Sequence, residues 1–162
     1  MPDNLGKQAE QKIKEWLNHP ENGYCFDRIP DQMTGYYMVS RNVSDFTCYK
    51  YPNFCYIESK ETEQDRFSFD QLTDTQRNGL RMKAEIPGVY GLVIVLFATY
   101  KRAFIFNIKD IADLVNEDTA ELKVKSVNIK KIDKWSIPYI EIETLPSRKA
   151  LLDYTGELRI PE

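Results

Sequence analysis

The 162-residue sequence predicts an α/β fold in which helices flank a mixed central sheet. Three observations lead there. The N-terminal segment "NLGKQAEQKIKEWLNH" sets Leu5, Ala9, Ile13, Trp16 and Leu17 on one helical face. The segment "VYGLVIVLFATY" is a near-continuous apolar, β-rich run of the kind that is buried on both faces of a sheet. Between and beyond these the pattern alternates as helix, strands, helix, strands, helix, which is the order of a layered α/β domain.

Taken along the chain, the first helix has Asn4 or Asp3 available as its cap, and residues 20–23, from Pro20 to Gly23, end it. "YCFDRI" then reads as a short strand, and "PDQMTGYYMVSRN" as a loop or ribbon with a turn at Thr34 and Gly35. "SDFTCYKYPNFCYIESK" predicts a hairpin: one strand over 45–49, a turn at Tyr51, Pro52 and Asn53, and a second strand ending at Lys60. "TDTQRNGLRMKAEIPG" is a second helix that starts at Thr73 and stops before Pro87 and Gly88. The apolar run follows and pairs with "RAFIFNI" through a turn at Tyr100 and Lys101. "KDIADLVNE" is a short helix, and the remainder holds one strand, "YIEIETL", with an extended basic segment before it. Repeats and low-complexity stretches are absent.

Composition narrows the function classes. A chain of 162 residues with 42% hydrophobic and 29% charged residues predicts one globular domain with a real core. Its apolar run stops at Lys101, short of the roughly 18 residues that a membrane span needs. The N-terminus does not resemble a signal peptide, and a cytoplasmic protein without membrane partners is expected. Three cysteines without C-x-x-C spacing and a single histidine argue against a structural zinc site or a histidine-based hydrolase, and the cysteines are expected to be buried. Net charge is −3, yet residues 123–134 carry five lysines against one acid. With Arg77, Arg81, Lys83, Lys101 and Arg102 these are local basic points able to neutralise phosphates, Lys130 and Lys131 among them. A solvated basic face is the alternative.

The chemistry concentrates at "FCYIESK". In an extended chain Glu58 and Lys60 share one face while Ser59 points away. Taken alone, such a pair is an ordinary exposed ion pair. The predicted hairpin changes that reading, because antiparallel pairing about Pro52 sets Asp45 roughly opposite Ser59, within one residue of Glu58 and Lys60. Two carboxylates and an ammonium at one sheet end suit a divalent cation. Mg²⁺ takes one or two carboxylates together with water and phosphate oxygens, and Asp45, Glu58 and the Ser59 carbonyl supply such a face. Lys60 beside it would orient or deprotonate the attacking water, or offset charge in the transition state.

A separated aspartate followed by an apolar strand ending in Glu-x-Lys resembles the core motif of the PD-(D/E)xK nucleases, here Asp45 with Glu58, Ser59 and Lys60. "GKQAEQKI" resembles the helix that contributes a further acid in many of them, which maps onto Glu10; an exposed acid is the alternative. "YIESKETEQDRFSFDQLTDTQRNGL" resembles the RecU-type Holliday junction resolvases, also called penicillin-binding protein-related factor A. In that family an E-A-K-E-T run precedes a phenylalanine-containing loop and a helix bearing a glutamine. The corresponding residues here are Glu58, Lys60, Glu61, Thr62, Phe67 and Gln76. "WSIPYIEI" and "LLDY" resemble the family's C-terminal part, so the likeness runs from about Gly6 to Tyr154. It implies a restriction-endonuclease-like core over one domain, 1–162, with a short stalk-like insertion at about 30–44.

The catalytic set implied is Glu10, Asp45, Glu58, Lys60 and Gln76. Glu61 and Thr62 support it, and Thr62 is also counted among the DNA contacts. Gln76 has a competing role, because Thr73, Asp74, Thr75 and Gln76 fit a capping box; a helix start still presents amides to a phosphate, so both roles are compatible. In the insertion, Tyr36 and Tyr37 with Arg41 are candidates for stacking on bases, with hydrophobic ribbon packing as the alternative. The function expected is a Mg²⁺-dependent, structure-selective DNA endonuclease, with Mn²⁺ as a possible substitute, resolving Holliday junctions in phage or bacterial recombination or repair. Two symmetric cuts call for a homodimer. Another DNA nuclease of the same class, restriction-like, nicking or exonucleolytic, is the first alternative. A non-catalytic nucleic-acid-binding module is the second.

Overall fold

The computed structural model describes residues 6–18, 25–30, 44–112 and 126–142. The first helix, α1, spans Lys7–Leu17 and buries Ala9, Ile13 and Leu17, three of the residues whose spacing predicted it. Its expected caps, Asn4 and Asp3, lie outside the described residues. The N-cap observed is Gly6 in the left-handed region, with no side-chain cap of its own.

Strand β1, Cys25–Arg28, pairs antiparallel with β2, Phe46–Lys50, which pairs antiparallel with β3, Asn53–Thr62. The hairpin is as predicted with a slightly different centre. Phe46 faces Ile57 and Lys50 faces Asn53, so the symmetry point falls between Tyr51 and Pro52. After the short strand β4, Arg66–Ser68, and a 3-10 turn, helix α2 covers Asp74–Ala84. It starts on the predicted capping box, Thr73 with Gln76, and is followed by Gly88 at φ 83, a conformation that glycine adopts without a Cβ clash.

Helix α2 is the crossover to β5, Val89–Phe97, which lies parallel to β3. The antiparallel β6, Arg102–Asn107, follows through a 3-10 turn ending at Lys101, and α3, Ile108–Ala112, follows that. Further on come β7, Ser126–Asn128, and β8, Ile140–Glu141. The main sheet runs β1-β2-β3-β5-β6-β8, and β4 pairs with β7 as a separate ribbon. The basic segment therefore contributes a strand and a 3-10 stretch, where an extended run is predicted.

Burial on both faces of β5 explains its unbroken apolar run. Residues 91–97 are all buried, with Leu92, Ile94 and Leu96 in the layer beneath α1 and Val93, Val95 and Phe97 in the layer with α2 and α3. Cys48 and Cys55 face each other across β2 and β3 in the first layer and are buried as expected, while Cys25 is exposed. Among the described residues no helix is long and apolar enough to cross a membrane.

Candidate active site

The site forms where β2 begins and β3 ends. Asp45 is clamped by its backbone: its N–H donates to the Ile57 carbonyl at 2.9 Å, and its carbonyl accepts from the Ile29 N–H at 2.7 Å. Its Oδ2 accepts from the Ser59 N–H at 3.0 Å and from the Ser59 hydroxyl at 2.7 Å. By register Asp45 continues the pairing toward Glu58, yet its carboxylate reaches one residue further to Ser59. The side chain thereby recovers the neighbour that the hairpin count predicted.

Strand alternation sends Ile57 into the α1 layer and Glu58 and Lys60 to the opposite side, toward the start of α2. Glu58 is only 4% exposed. Its Oε1 accepts from Gln76 Nε2 at 2.8 Å and lies 3.4 Å from Lys60 Nζ. Burial pushes the Glu58 carboxyl up to about 8, and the Asp45 charge adds to the rise; Lys60 and Arg28 pull against it. Gln76 closes the expected capping box and contacts Glu58 at the same time. Its Oε1 accepts from the Thr73 N–H at 3.1 Å to close the capping box, which leaves Nε2 aimed at Glu58.

Helix α1 enters through an ion pair. Glu10 receives a two-pronged contact from Arg28, Nε to Oε2 at 3.1 Å and Nη2 to Oε1 at 3.0 Å. Arg28 Nη2 also stands 3.8 Å from Asp45 Oδ1, and the guanidinium lies over the Phe46 ring. Glu10 is thus joined to Asp45 through Arg28. Sequence reasoning missed Arg28, although its place at the end of "YCFDRI", paired with Phe46 beside Asp45, was the available signal. Glu61 has a definite role too: Oε1 accepts from the Ala9 N–H at 2.9 Å, so a strand residue supplies the cap that α1 lacks.

The outlying candidates are dispersed. Thr62 is buried, with its hydroxyl accepting from the Gln64 N–H. Arg77 pairs with Asp74 at 2.6 Å, Arg81 lies exposed on α2, and Lys83 stands over the Tyr56 ring. Lys130 pairs with Asp65 at 3.0 Å while Lys131 is exposed beside it, so these two lie in the 3-10 stretch next to the ribbon formed by β4 and β7. Phe67, named in the sequence as part of a loop, is a buried residue of β4. Tyr36, Tyr37, Arg41 and residues 31–43 of the stalk-like insertion lie outside the described residues.

Among the described residues no three His, Cys, Asp or Glu side chains gather into a metal cage. Two carboxylates do converge, and their mutual repulsion helps raise Glu58. That donor set, two carboxylates offering hard oxygen ligands, fits an ion such as Mg²⁺, which keeps several waters and needs few protein ligands. With a lysine 3.4 Å from one acid, the arrangement suits hydrolysis of a phosphate ester.

A family model described as RecU, Recombination protein U, matches residues 25–157. The matched span begins at β1, so α1 and Glu10 precede it. No curated protein matches the chain. Among solved structures, the chain is similar to Hjc of Archaeoglobus fulgidus, a Holliday junction resolvase from an archaeal hyperthermophile. That likeness has a TM-score of 0.51 at 14% identity and covers 77% of this chain and 89% of the other.

Proposed function

We propose, from the premise that this chain belongs to the recombination protein U (RecU) family, that it is a metal-dependent, structure-selective DNA endonuclease that resolves four-way junctions. The observation that carries this reading is the meeting of Asp45, Glu58, Lys60 and Gln76 at one sheet end, within a fold similar to that of an archaeal Holliday junction resolvase. Asp45 and Glu58, with the Ser59 carbonyl, would hold Mg²⁺, or Mn²⁺ in its place. When bound, the ion supplies Lewis-acid polarisation of the phosphodiester and a more acidic water.

The protein's own residues divide the remaining work. Ser59 fixes the Asp45 carboxylate with two hydrogen bonds, and Gln76 fixes one oxygen of Glu58, so both acids are preorganised before substrate arrives. Lys60 Nζ, beside Glu58, hydrogen-bonds the attacking water and sets positive charge against the charge that builds as the water oxygen bonds to phosphorus and the P–O bond breaks. Arg28 ties Glu10 to Asp45 and steadies the acid's outer edge. The catalytic set is therefore Asp45, Glu58, Lys60 and Gln76, with Glu10 acting through Arg28. Two symmetric nicks require two such sites, so the active species is a homodimer acting on DNA in the cytoplasm, each copy a single nuclease domain.

The test is cleavage of a labelled four-way junction, a linear duplex and single-stranded DNA with Mg²⁺, comparing wild type with Lys60→Ala. Paired symmetric nicks confined to the junction are expected, with the rate reduced at least about 100-fold in the variant while junction binding persists. Equal cutting of linear duplex would replace the junction resolvase by a nuclease of another specificity. Absence of cutting with either Mg²⁺ or Mn²⁺ would remove the catalytic reading.

A further inference from the structure

A cavity of about 560 Å³ lies between α1 and the turn that joins β5 to β6. Lys7, Gln11, Lys12 and Glu15 line it from the helix, Leu96 from the end of β5, and Lys101 from the turn. At 100° per residue these helix positions centre on a flank of α1 turned away from Glu10. The helix therefore has the acidic site on one side and this groove on another. The two also lie at the same end of the central strands β3 and β5, because Lys60 pairs with Val95 and Glu61 with Leu96 in the parallel ladder, while Glu61 holds the N-terminal turn of α1 through the Ala9 N–H.

Charge and backbone both single out the groove. Three lysines meet one glutamate there, in a chain whose net charge is −3, and Gln11 donates to that Glu15 at 3.1 Å. Lys101 sits at φ 54, the one non-glycine residue with positive φ among the described residues. Glycine is the residue that such a turn ordinarily favours. A lysine stands where the backbone disfavours it, and it lines the cavity. None of the lining residues is aromatic, so the groove offers no platform for a nucleobase.

We propose that this groove is a phosphate-backbone site, in which Lys7, Lys12 and Lys101 hold the phosphodiester chain of a DNA arm beyond the scissile bond. The proposal rests on the nuclease reading above and extends it to a second region of DNA binding on α1. Lysines without base-reading groups give binding that is independent of sequence and dependent on salt, which suits an enzyme that selects a branched shape.

The experiment is equilibrium binding of a fluorescent four-way junction in the presence of a chelator, where no metal-dependent cutting occurs, over a range of NaCl concentrations. Wild type is compared with Lys101→Gly alone and with the combined Lys7→Gln, Lys12→Gln and Lys101→Gly variant. Each lysine that no longer neutralises a phosphate lowers the slope of log affinity against log salt by about 0.9, so the combined variant is expected to lose about 2 to 3 units of slope and bind about tenfold or more weakly. Lys101→Gly is expected to lose about one unit while its melting temperature stays equal or rises, a combination that a purely structural lysine would not produce. Slopes and affinities equal to wild type in the folded combined variant would overturn the groove and leave the nuclease reading intact. Failure of wild type to bind junction or duplex at any salt would overturn both.

Discussion

Glu58 is a carboxyl held in surroundings that oppose its charge. Burial first, and then Asp45, raises it to about 8, against an ordinary value of 4.5. The folded state of the metal-free protein therefore binds a proton that the unfolded chain has released. Stability linked to this group is fully present below about pH 4.5 and is lost as pH rises toward 8. Replacing Glu58 with Gln removes the buried charge but keeps an oxygen for Gln76 Nε2. In chelator, Glu58→Gln is expected to be more stable than wild type at pH 8, by on the order of a few kcal/mol, and so to melt higher, with the difference vanishing near pH 4.5 and DNA cutting lost throughout. Melting curves across pH read this directly. Glu58 and Lys60 were legible from strand periodicity, because a one-residue spacer defines a shared face, and Asp45 from counting across the hairpin. Arg28 was not, since its importance comes from bridging a helix and a strand that are distant in sequence.

At the scale of elements, one residue repeatedly serves two structures. Gln76 closes the cap of α2 and holds Glu58, so the start of this helix and the site are set by the same side chain. Glu61 ends the run that begins with Glu58 and caps α1 from outside. Glu61→Ala is expected to cost about 1 kcal/mol by leaving the α1 amide without its carboxylate, and hydrogen exchange should rise first in 7–10. The packing of α2 on β5 depends on Gly91. A Cβ there would stand 2.7 Å from Ile108 Cγ2 and 3.2 Å from the Leu80 carbonyl oxygen. The side chain can give way but the α2 backbone cannot without shifting the helix. Gly91→Ala is therefore expected to lower stability by about 1–3 kcal/mol, seen as a lower urea midpoint at unchanged slope.

Across the whole molecule, the sheet separates two apolar layers, and the layer with α2 and α3 is the more aromatic. Phe104 is fully buried there, with ring centroids of Trp135, Phe97 and Tyr139 at 5.0, 5.8 and 5.8 Å. Phe104→Ala is expected to cost about 3–5 kcal/mol and lower the melting temperature by roughly 10 °C, with altered fluorescence from Trp135. The sequence by itself determined the layered class, α1, the hairpin, the capped α2 and the doubly buried β5, because each rests on local periodicity or on a cap within a few residues. It also determined that Asp45, Glu58 and Lys60 share a sheet end, since a tight hairpin makes pairing a matter of counting. The ribbon formed by β4 and β7 was decided only by tertiary structure, its strands of three residues each being too short for a period and lying far apart in the chain. The same holds for the Glu10, Arg28 and Asp45 chain and for the lysine groove on the other flank of α1. Both depend on the fold bringing together segments that are distant in the chain, and no local pattern encodes that proximity.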